Sequence, residues 1–527
     1  MSSLRAFHIG SASRSTASLS ALGASHATSP STAEPLKRSS TLFSIPTSQD
    51  LAAPVKEEKF NDGTRPIVAY HLLATFILVY AIIVVGGLTR LTESGLSITE
   101  WNPGTKGMKW PANQQEWQVE WDKYRETPEW ALLNKHMTLE DFKSIYMWEW
   151  GHRMLGRFIG VFFLVPAIAF SVSGLAGRRT RLKLLAIASG IGFQGALGWY
   201  MVKSGLAAPE KKLVAPIAAH PNSTAPGSNT GAQPRLDPNL QTAEWTPRVS
   251  HFRLAAHLGT AFLVGLGCLH TAAVILRPRF FSKLTYVAQS AKALSSSSVR
   301  RYASQTKAVT TFVFVTAMTG ALVAGLDAGL VYNEWPTMGD GRLAPPLAEL
   351  LDRRYTLSGG QSEQDDSGWR AVVGNFTSNP VSVQLMHRTL ATTSLVLVLA
   401  LGWRGLRLYR ASRAAGYPLP KSVPRLALLS AGVVSMQASL GIFTLLYLVP
   451  LELASAHQAG SVALLSSLVA LTAALRKAPN SLWSSAITRG PVKSEAQKRA
   501  DQVAANALRK VLRETSAATP ASRVRLS

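Results

Sequence analysis

Hydrophobic positions in this chain gather into eight long runs, at about 67–88, 152–174, 182–202, 254–276, 308–330, 383–403, 426–448 and 453–475. Each is close to 20 residues, the length at which a helix rising about 1.5 Å per residue crosses about 30 Å of hydrocarbon. The pattern predicts an all-α membrane protein with eight transmembrane helices. The polar stretches between the runs alternate in character. Those after the second, fourth and sixth runs are basic and free of acids, with Arg178, Arg179 and Arg181 after the second, Arg300 and Arg301 after the fourth and Arg404 to Arg413 after the sixth, and Arg476 and Lys477 directly follow the eighth. The other set carries Glu, Asp, Trp and Pro. Basic loops stay on the side from which a membrane protein is inserted, so both termini are expected on the basic side.

The segments outside the runs have distinct compositions. Residues 1–48 are rich in Ser, Ala and Thr, carry Arg5, Arg14, Lys37 and Arg38 against one acid, Glu34, and lack an apolar core. That composition is expected of a disordered mitochondrial transit peptide rather than a secretory signal, which makes the basic side the matrix. In the loop at about 89–151, Thr138 and Asp141 form a capping box that starts a helix able to run into the second apolar run. Trp148 and Trp150 suit an interfacial belt. Stretches 203–250 and 356–370 read as flexible external insertions. The tail 476–527 contains Val503, Ala507, Leu508, Val511 and Leu512 at helical spacing, which predicts an amphipathic matrix helix lying on the membrane. The expected organisation is a four-helix half at 65–276, a basic matrix linker at 277–307, and a second four-helix half at 308–475.

Composition sharpens this picture. Of the 527 residues, 47 % are hydrophobic and 16 % charged, and the net charge is +25. The basic residues cluster between apolar runs, so the charge reports topology and not nucleic-acid binding. The single cysteine, Cys268, lies within an apolar run; it excludes an intrachain disulfide framework and reads as a small buried apolar residue.

The two halves repeat each other. Gly86 to Leu96 followed by Glu100-Trp101 matches Gly320 to Leu330 followed by Glu334-Trp335 at a constant offset of 234 residues. Gly151-His152-Arg153-Met-Leu at the second run matches Met386-His387-Arg388-Thr-Leu at the sixth, one residue off that offset. Gln194 to Gly198 matches Gln437 to Gly441, and His257 matches His457. The chain therefore reads as two pseudo-symmetric four-helix bundles in parallel orientation.

Four histidines, His152, His257, His387 and His457, stand at or near the starts of the even-numbered runs and share one depth and one face. Four imidazoles make two axial pairs, and two pairs can hold two haems between facing helices as iron ligands. The repeat pairs His152 with His257 and His387 with His457. Zinc would need a compact tetrahedral cluster instead. His251, two turns before His257, is a competing ligand. Arg153 and Arg388 follow their histidines and are placed to pair with haem propionates or with external acids. Glu149 lies one turn before His152 on the same helix face, where it can orient the imidazole, carry protons or stabilise a cation at the haem edge. Counting by the offset of 234 puts Val383 opposite Glu149, so the two sites are expected to differ, one reactive and one for electron transfer.

The residues from Gly86 to Ser97 with Glu100-Trp101, then Glu149-Trp-Gly-His152-Arg-Met-Leu-Gly-Arg157, resemble the mitochondrial haem A synthases. Arg253-Leu-Ala-Ala-His257-Leu, Gln384-Leu-Met-His387-Arg-Thr-Leu-Ala and Ala456-His457-Gln strengthen the likeness, which covers about 65–475. The resemblance implies oxidation of one ring methyl of haem O to a formyl group, giving haem A for cytochrome c oxidase in the mitochondrial inner membrane. It implies a haem b at His387 and His457, with Arg153 and Arg388 beside the cofactors. The substrate haem would sit at His152 and His257, with Glu149 as an essential catalytic acid. It also implies ferredoxin with ferredoxin reductase as electron partners, haem O synthase as the supplier of substrate, and a possible homo-oligomer. The cysteine pair that some bacterial members carry in an external loop is missing here. A bis-histidine b-type electron-transfer cytochrome and a non-enzymatic haem carrier are the alternative readings of the same histidines.

Overall fold

A computed structural model describes residues 62–102, 104, 106, 109–206, 247–282, 287–357, 368–477 and 495–517. Eight long helices dominate it: α1 (Pro66–Leu91), α2 (Leu139–Val172), α3 (Arg178–Leu206), α4 (His251–Ser282), α5 (Ser297–Gly325), α6 (Pro380–Ala414), α7 (Ser422–Leu446) and α8 (Leu451–Ala474). All eight are long and apolar enough to cross a membrane. Among the described residues there is no strand.

The helix ends differ from the hydrophobic runs in informative ways. α2 begins at Leu139, well before its apolar run, because the capping box forms as expected. The Thr138 hydroxyl accepts the Asp141 amide (3.3 Å) and the Asp141 carboxylate accepts the Thr138 amide (3.0 Å). The first turns of α2 therefore stand outside the apolar layer. α5 starts at Ser297 behind a Ser296 cap and stops at Gly325, short of residue 330, because Asp327 takes a left-handed conformation (φ 50°). The basic residues Arg404 to Arg413 lie on the last turns of α6, and Arg178 to Lys183 on the first turns of α3, where the sequence suggested loops. The stretch expected as a linker, 277–307, is largely helical: α4 runs on to Ser282, a short helix spans Val287–Leu294, and α5 follows. The tail forms a helix over Glu495–Ala517. The transit-peptide expectation and most of the two insertions fall outside the described residues.

In the first half α1 packs on α2 and α4, and α3 closes the ring between α2 and α4. In the second half α5 packs on α6 and α8, with α7 between α6 and α8. The same neighbour order recurs, which fits the repeat read from sequence. α1, α4, α5 and α8 meet along the joint between the halves. One continuous apolar core runs through both, including Leu72 and Ile83 of α1, Phe163 of α2, Phe262 and Cys268 of α4, Val313 of α5, Val398 of α6 and Leu465 and Leu468 of α8. Residues such as Val161, Val165, Ile168 and Leu185 face outward, as helices bathed in hydrocarbon require.

The segment between α1 and α2 builds a small outer subdomain. Helices Gln114–Arg125 and Pro128–Leu132 pack Trp117, Trp121 and Tyr124 against Phe142 and Tyr146 of the exposed start of α2. Trp150 joins this aromatic cluster through Trp110 (5.1 Å between ring centres). Glu129 is buried here with one carboxylate oxygen lacking a partner. Burial, and then the negative charges of Glu149 and Glu93, push its pKa up to about 8.

Candidate functional site

In a ring of four helices the first neighbours are successive and the second is diagonal. α2 and α4 are diagonal partners, so side chains pointing inward from each meet across the bundle. His152 of α2 and His257 of α4 do so, with ring centres 6.5 Å apart and planes inclined by 65°. An imidazole–metal bond is about 2 Å long, so two imidazoles on opposite sides of one metal have ring centres roughly 6 Å apart. The first pair has that spacing. His387 of α6 and His457 of α8 occupy the equivalent diagonal and are electrostatic neighbours. The two pairings expected from the repeat are the two that the fold brings together.

Each histidine rests on bare backbone. A Cβ added at Gly86 of α1 would lie 2.8 Å from His152 Cε1, and one at Gly320 of α5 would lie 2.9 Å from His387 Cε1. A Cβ at Gly441 of α7 would lie 2.8 Å from His457 Cε1, and one at Gly198 of α3 would lie 3.5 Å from His257 Cε1. Any larger residue at the first three would drive the imidazole out of place. The glutamines of the repeat act beside them: Gln194 Nε2 donates to the His257 carbonyl and Gln437 Nε2 to the His457 carbonyl, both at 2.8 Å. Sequence reading marked these glycines and glutamines as repeated but gave them no role. Their role depends on contacts between neighbouring helices.

The outer ring nitrogens separate the halves. His387 Nδ1 lies 3.2 Å from the Thr316 carbonyl and 2.9 Å from Thr319 Oγ1, and the Thr319 hydroxyl itself donates to that carbonyl (2.7 Å). This arrangement assigns the proton to Nδ1 and leaves the Nε2 lone pair for a metal. At the places of Thr316 and Thr319 the first half has Ile82 and Val85, and His152 Nδ1 is buried without a partner. His257 and His457 Nδ1 are likewise buried without partners. Facing neutral imidazoles, buried and backed by glycine, fit a tetrapyrrole iron at each diagonal.

Glu149 is held from four directions. One oxygen accepts from the Ser97 hydroxyl (2.7 Å) and the Ile98 amide (2.8 Å); the other accepts from Arg153 Nη2 (2.7 Å) and Nε (3.1 Å). Arg153 also donates to the carbonyls of Ile98 and Glu100. The expectation that Glu149 orients the His152 ring is corrected, since Nδ1 of that ring has no partner. Instead Glu149 fastens the segment after α1 to α2. Arg153 pairs with the acid Glu149.

Arg388 donates through Nη2 to the carbonyls of Glu334, Pro336 and Thr337, at 2.8 to 3.2 Å, and its guanidinium lies over Trp335. No acid pairs with it among the described residues, and its Nη1 is buried without a partner, free for an anionic group. The residue matched to Glu149 is also corrected. Gln384 stands three positions before His387, as Glu149 does before His152. Its Nε2 donates to the Tyr332 carbonyl (3.0 Å), and Tyr332 is the repeat equivalent of Ile98. Val383 is fully buried on another face.

Arg90 belongs to the joint, and Glu93 to the turn that follows α1. Glu93 and Asp327 are repeat equivalents, and both take left-handed turns (φ 51° and 50°) after α1 and α5. Arg90 crosses to Asp327 (2.8 Å) and to the Ala324 carbonyl, and Arg248 bonds the other Asp327 oxygen (2.9 Å). The shared acid at both places was the available signal. His251 lies against Gly325, with its ring beside Phe252, and is not part of the His152 pair.

Comparison with known proteins agrees with this geometry. Residues 69–469 match the family model described as cytochrome oxidase assembly protein (COX15-CtaA). The chain is 41 % identical over 470 residues to the heme A synthase COX15 of Saccharomyces cerevisiae, covering 86 % of this chain and 87 % of that one. It is 41 % identical over 412 residues to a heme A synthase–mitochondrial ferredoxin fusion protein of Schizosaccharomyces pombe (77 % of this chain, 59 % of that one). It is 36 % identical over 419 residues to the human heme A synthase COX15 (80 % and 85 %). With four helix-borne histidines on two bundle diagonals and a family match spanning all eight helices, this chain belongs to the COX15-CtaA family of cytochrome oxidase assembly proteins.

Proposed function

We propose that this protein is a haem A synthase, an oxidoreductase that converts a ring methyl of haem O to the formyl group of haem A. The observation that carries the proposal is the diagonal pair His152 and His257 at the spacing of two axial ligands. The substrate haem would be held there, and a resident haem b by His387 and His457. One ligand supports that division: His387, alone of the four, has its outer nitrogen held, by the Thr316 carbonyl and Thr319, and a fixed ligand suits a permanent group. A haem held by His387 and His457 would supply one-electron oxidation and reduction.

The chain's own residues orient and exclude water. Gly86 and Gly198 allow the first pair of imidazoles to stand within the bundle, and the aromatic subdomain covers the outer end of α2. Glu149 holds Arg153 and the 97–100 segment beside His152, so its role is to position the ligand-bearing turn. Arg388 Nη1 and Arg153 would meet the propionates. The converted methyl loses four electrons. The fusion of a heme A synthase with a mitochondrial ferredoxin in the fission-yeast relative supports ferredoxin as the electron partner. The apolar helices and the mitochondrial relatives support a multi-pass place in the mitochondrial inner membrane, and the basic loops support both termini in the matrix.

The test is haem extraction and chromatography from cells lacking the protein and from cells re-expressing it with or without His152→Ala. Loss of haem A with appearance of haem O, rescued by the wild type and not by the variant, is the expected result. Normal haem A in its absence would return the histidines to the electron-transfer cytochrome reading.

A further inference from the structure

Gln458 follows His457 on α8 and has no polar counterpart in the first half, where Leu258 follows His257. Its Nε2 crosses the joint between the halves and donates to the Ile83 carbonyl on α1 (2.7 Å). The rest of its amide lies on Gly87, where any Cβ would overlap it. Gly86, the next residue, is the glycine that backs the His152 imidazole. A turn earlier on α1, the Tyr80 hydroxyl donates to the Ala459 carbonyl of α8 (2.7 Å), so the two helices are tied on both sides of the contact. From His457 the connection to His152 is thus one residue, one amide side chain and two glycines.

We propose that Gln458 is a positioning residue for the opposite site: it sets the place of α1 at Ile83–Gly87 and through Gly86 the stance of His152. The inference rests on the reading that each histidine pair holds a tetrapyrrole. Physically, Gly86 leaves the imidazole no slack, since even a methyl group there would collide with it. A displacement of α1 by a few tenths of an ångström at this turn is transmitted to the ring, because packed interiors do not absorb it. The arm runs in one direction, from the second half to the first, since Leu258 can make no equivalent bond.

The test uses the purified full chain and ferric haem as the probe, titrated by absorbance, with the haem that copurifies measured separately. His152→Ala defines the portion of binding that belongs to the first pair. Gln458→Leu keeps the side-chain volume and removes the donor. It is expected to weaken the His152-dependent binding by about three- to tenfold, the effect of one buried hydrogen bond, while copurified haem stays at the wild-type level. Gly87→Ala should weaken it similarly by pushing the amide away, and Gly87→Ala combined with Gln458→Ala should recover binding relative to Gly87→Ala alone. Unchanged His152-dependent binding in Gln458→Leu, or equal loss at both sites, overturns the inference and leaves the functional reading standing. Binding that His152→Ala does not reduce overturns both.

Discussion

In the second half Thr316 and Thr319 hold the outer nitrogen of His387, and an amide, Gln384, stands one turn before it. In the first half Ile82 and Val85 leave the same nitrogen of His152 bare, and a carboxylate, Glu149, stands one turn before it, tied to Arg153. The glycines and glutamines around both pairs are alike. The shared parts build a slot between diagonal helices; the differing parts decide how firmly a ligand is oriented and what charge lies beside it. The two slots share their glycines and glutamines and differ at Ile82/Thr316, Val85/Thr319 and Glu149/Gln384.

The largest effect should come from removing ligands. His387→Ala is expected to abolish copurified haem b, whereas His152→Ala should keep it and abolish haem A formation; spectra and haem chromatography of both variants read the difference. Identical losses in the two would erase the division of labour. Next comes the acid. Glu149→Gln copies the second half and leaves the Arg153 guanidinium, 14 % exposed, without its partner. Removing one member of such a buried pair costs about 3 kcal/mol or more, so thermal unfolding should fall by several degrees. A variant as stable as wild type would mean that the pair is solvated.

A smaller effect is expected from Thr319→Val, which copies Val85. Loss of a hydrogen bond to the outer nitrogen of a ligating histidine typically weakens metal binding by about 10-fold or more. Faster transfer of copurified haem to apomyoglobin would report it, and an unchanged transfer rate would count against the fixed-site account. The smallest concerns Glu129. Its folded pKa of about 8 lies above the ordinary 4.5. Between those values the folded subdomain keeps a proton that the unfolded chain has released. The stability contribution is therefore complete below about 4.5 and is lost as pH rises through about 8. Glu129→Gln should flatten that decline, as followed by tryptophan fluorescence on heating at pH 5, 7 and 9.

Much of this was legible along the chain. The eight runs located the eight helices because hydrocarbon demands about 20 apolar residues whatever the neighbours do. Thr138 and Asp141 announced the true start of α2 because a capping box is local. The four histidines and their pairing followed from the repeat. What was misread has a common cause. α5 stops at Gly325 because Asp327 turns left-handed, and that carboxylate bonds Arg90 and Arg248, far away in sequence. Helical spacing places Glu149 near the imidazole three residues on, yet its partners at Ser97 and Ile98 lie about fifty residues back. Val383 was matched to it by counting from the glycines of α1, and the one-residue shift at the histidines moves the match to Gln384.

The sequence by itself determined the number of long apolar helices, the repeat between the two halves and the four histidines at matching places in it, because length, periodicity and charge act within each segment. Only the tertiary structure decided how closely the paired rings approach, that glycines on the odd helices make room for them, that Thr316 and Thr319 hold the outer nitrogen of His387 alone among the four rings, and that Gln458 reaches from one half into the other. Those choices rest on close approaches between helices distant in the chain, where a fraction of an ångström separates contact from collision, and no local pattern carries that information.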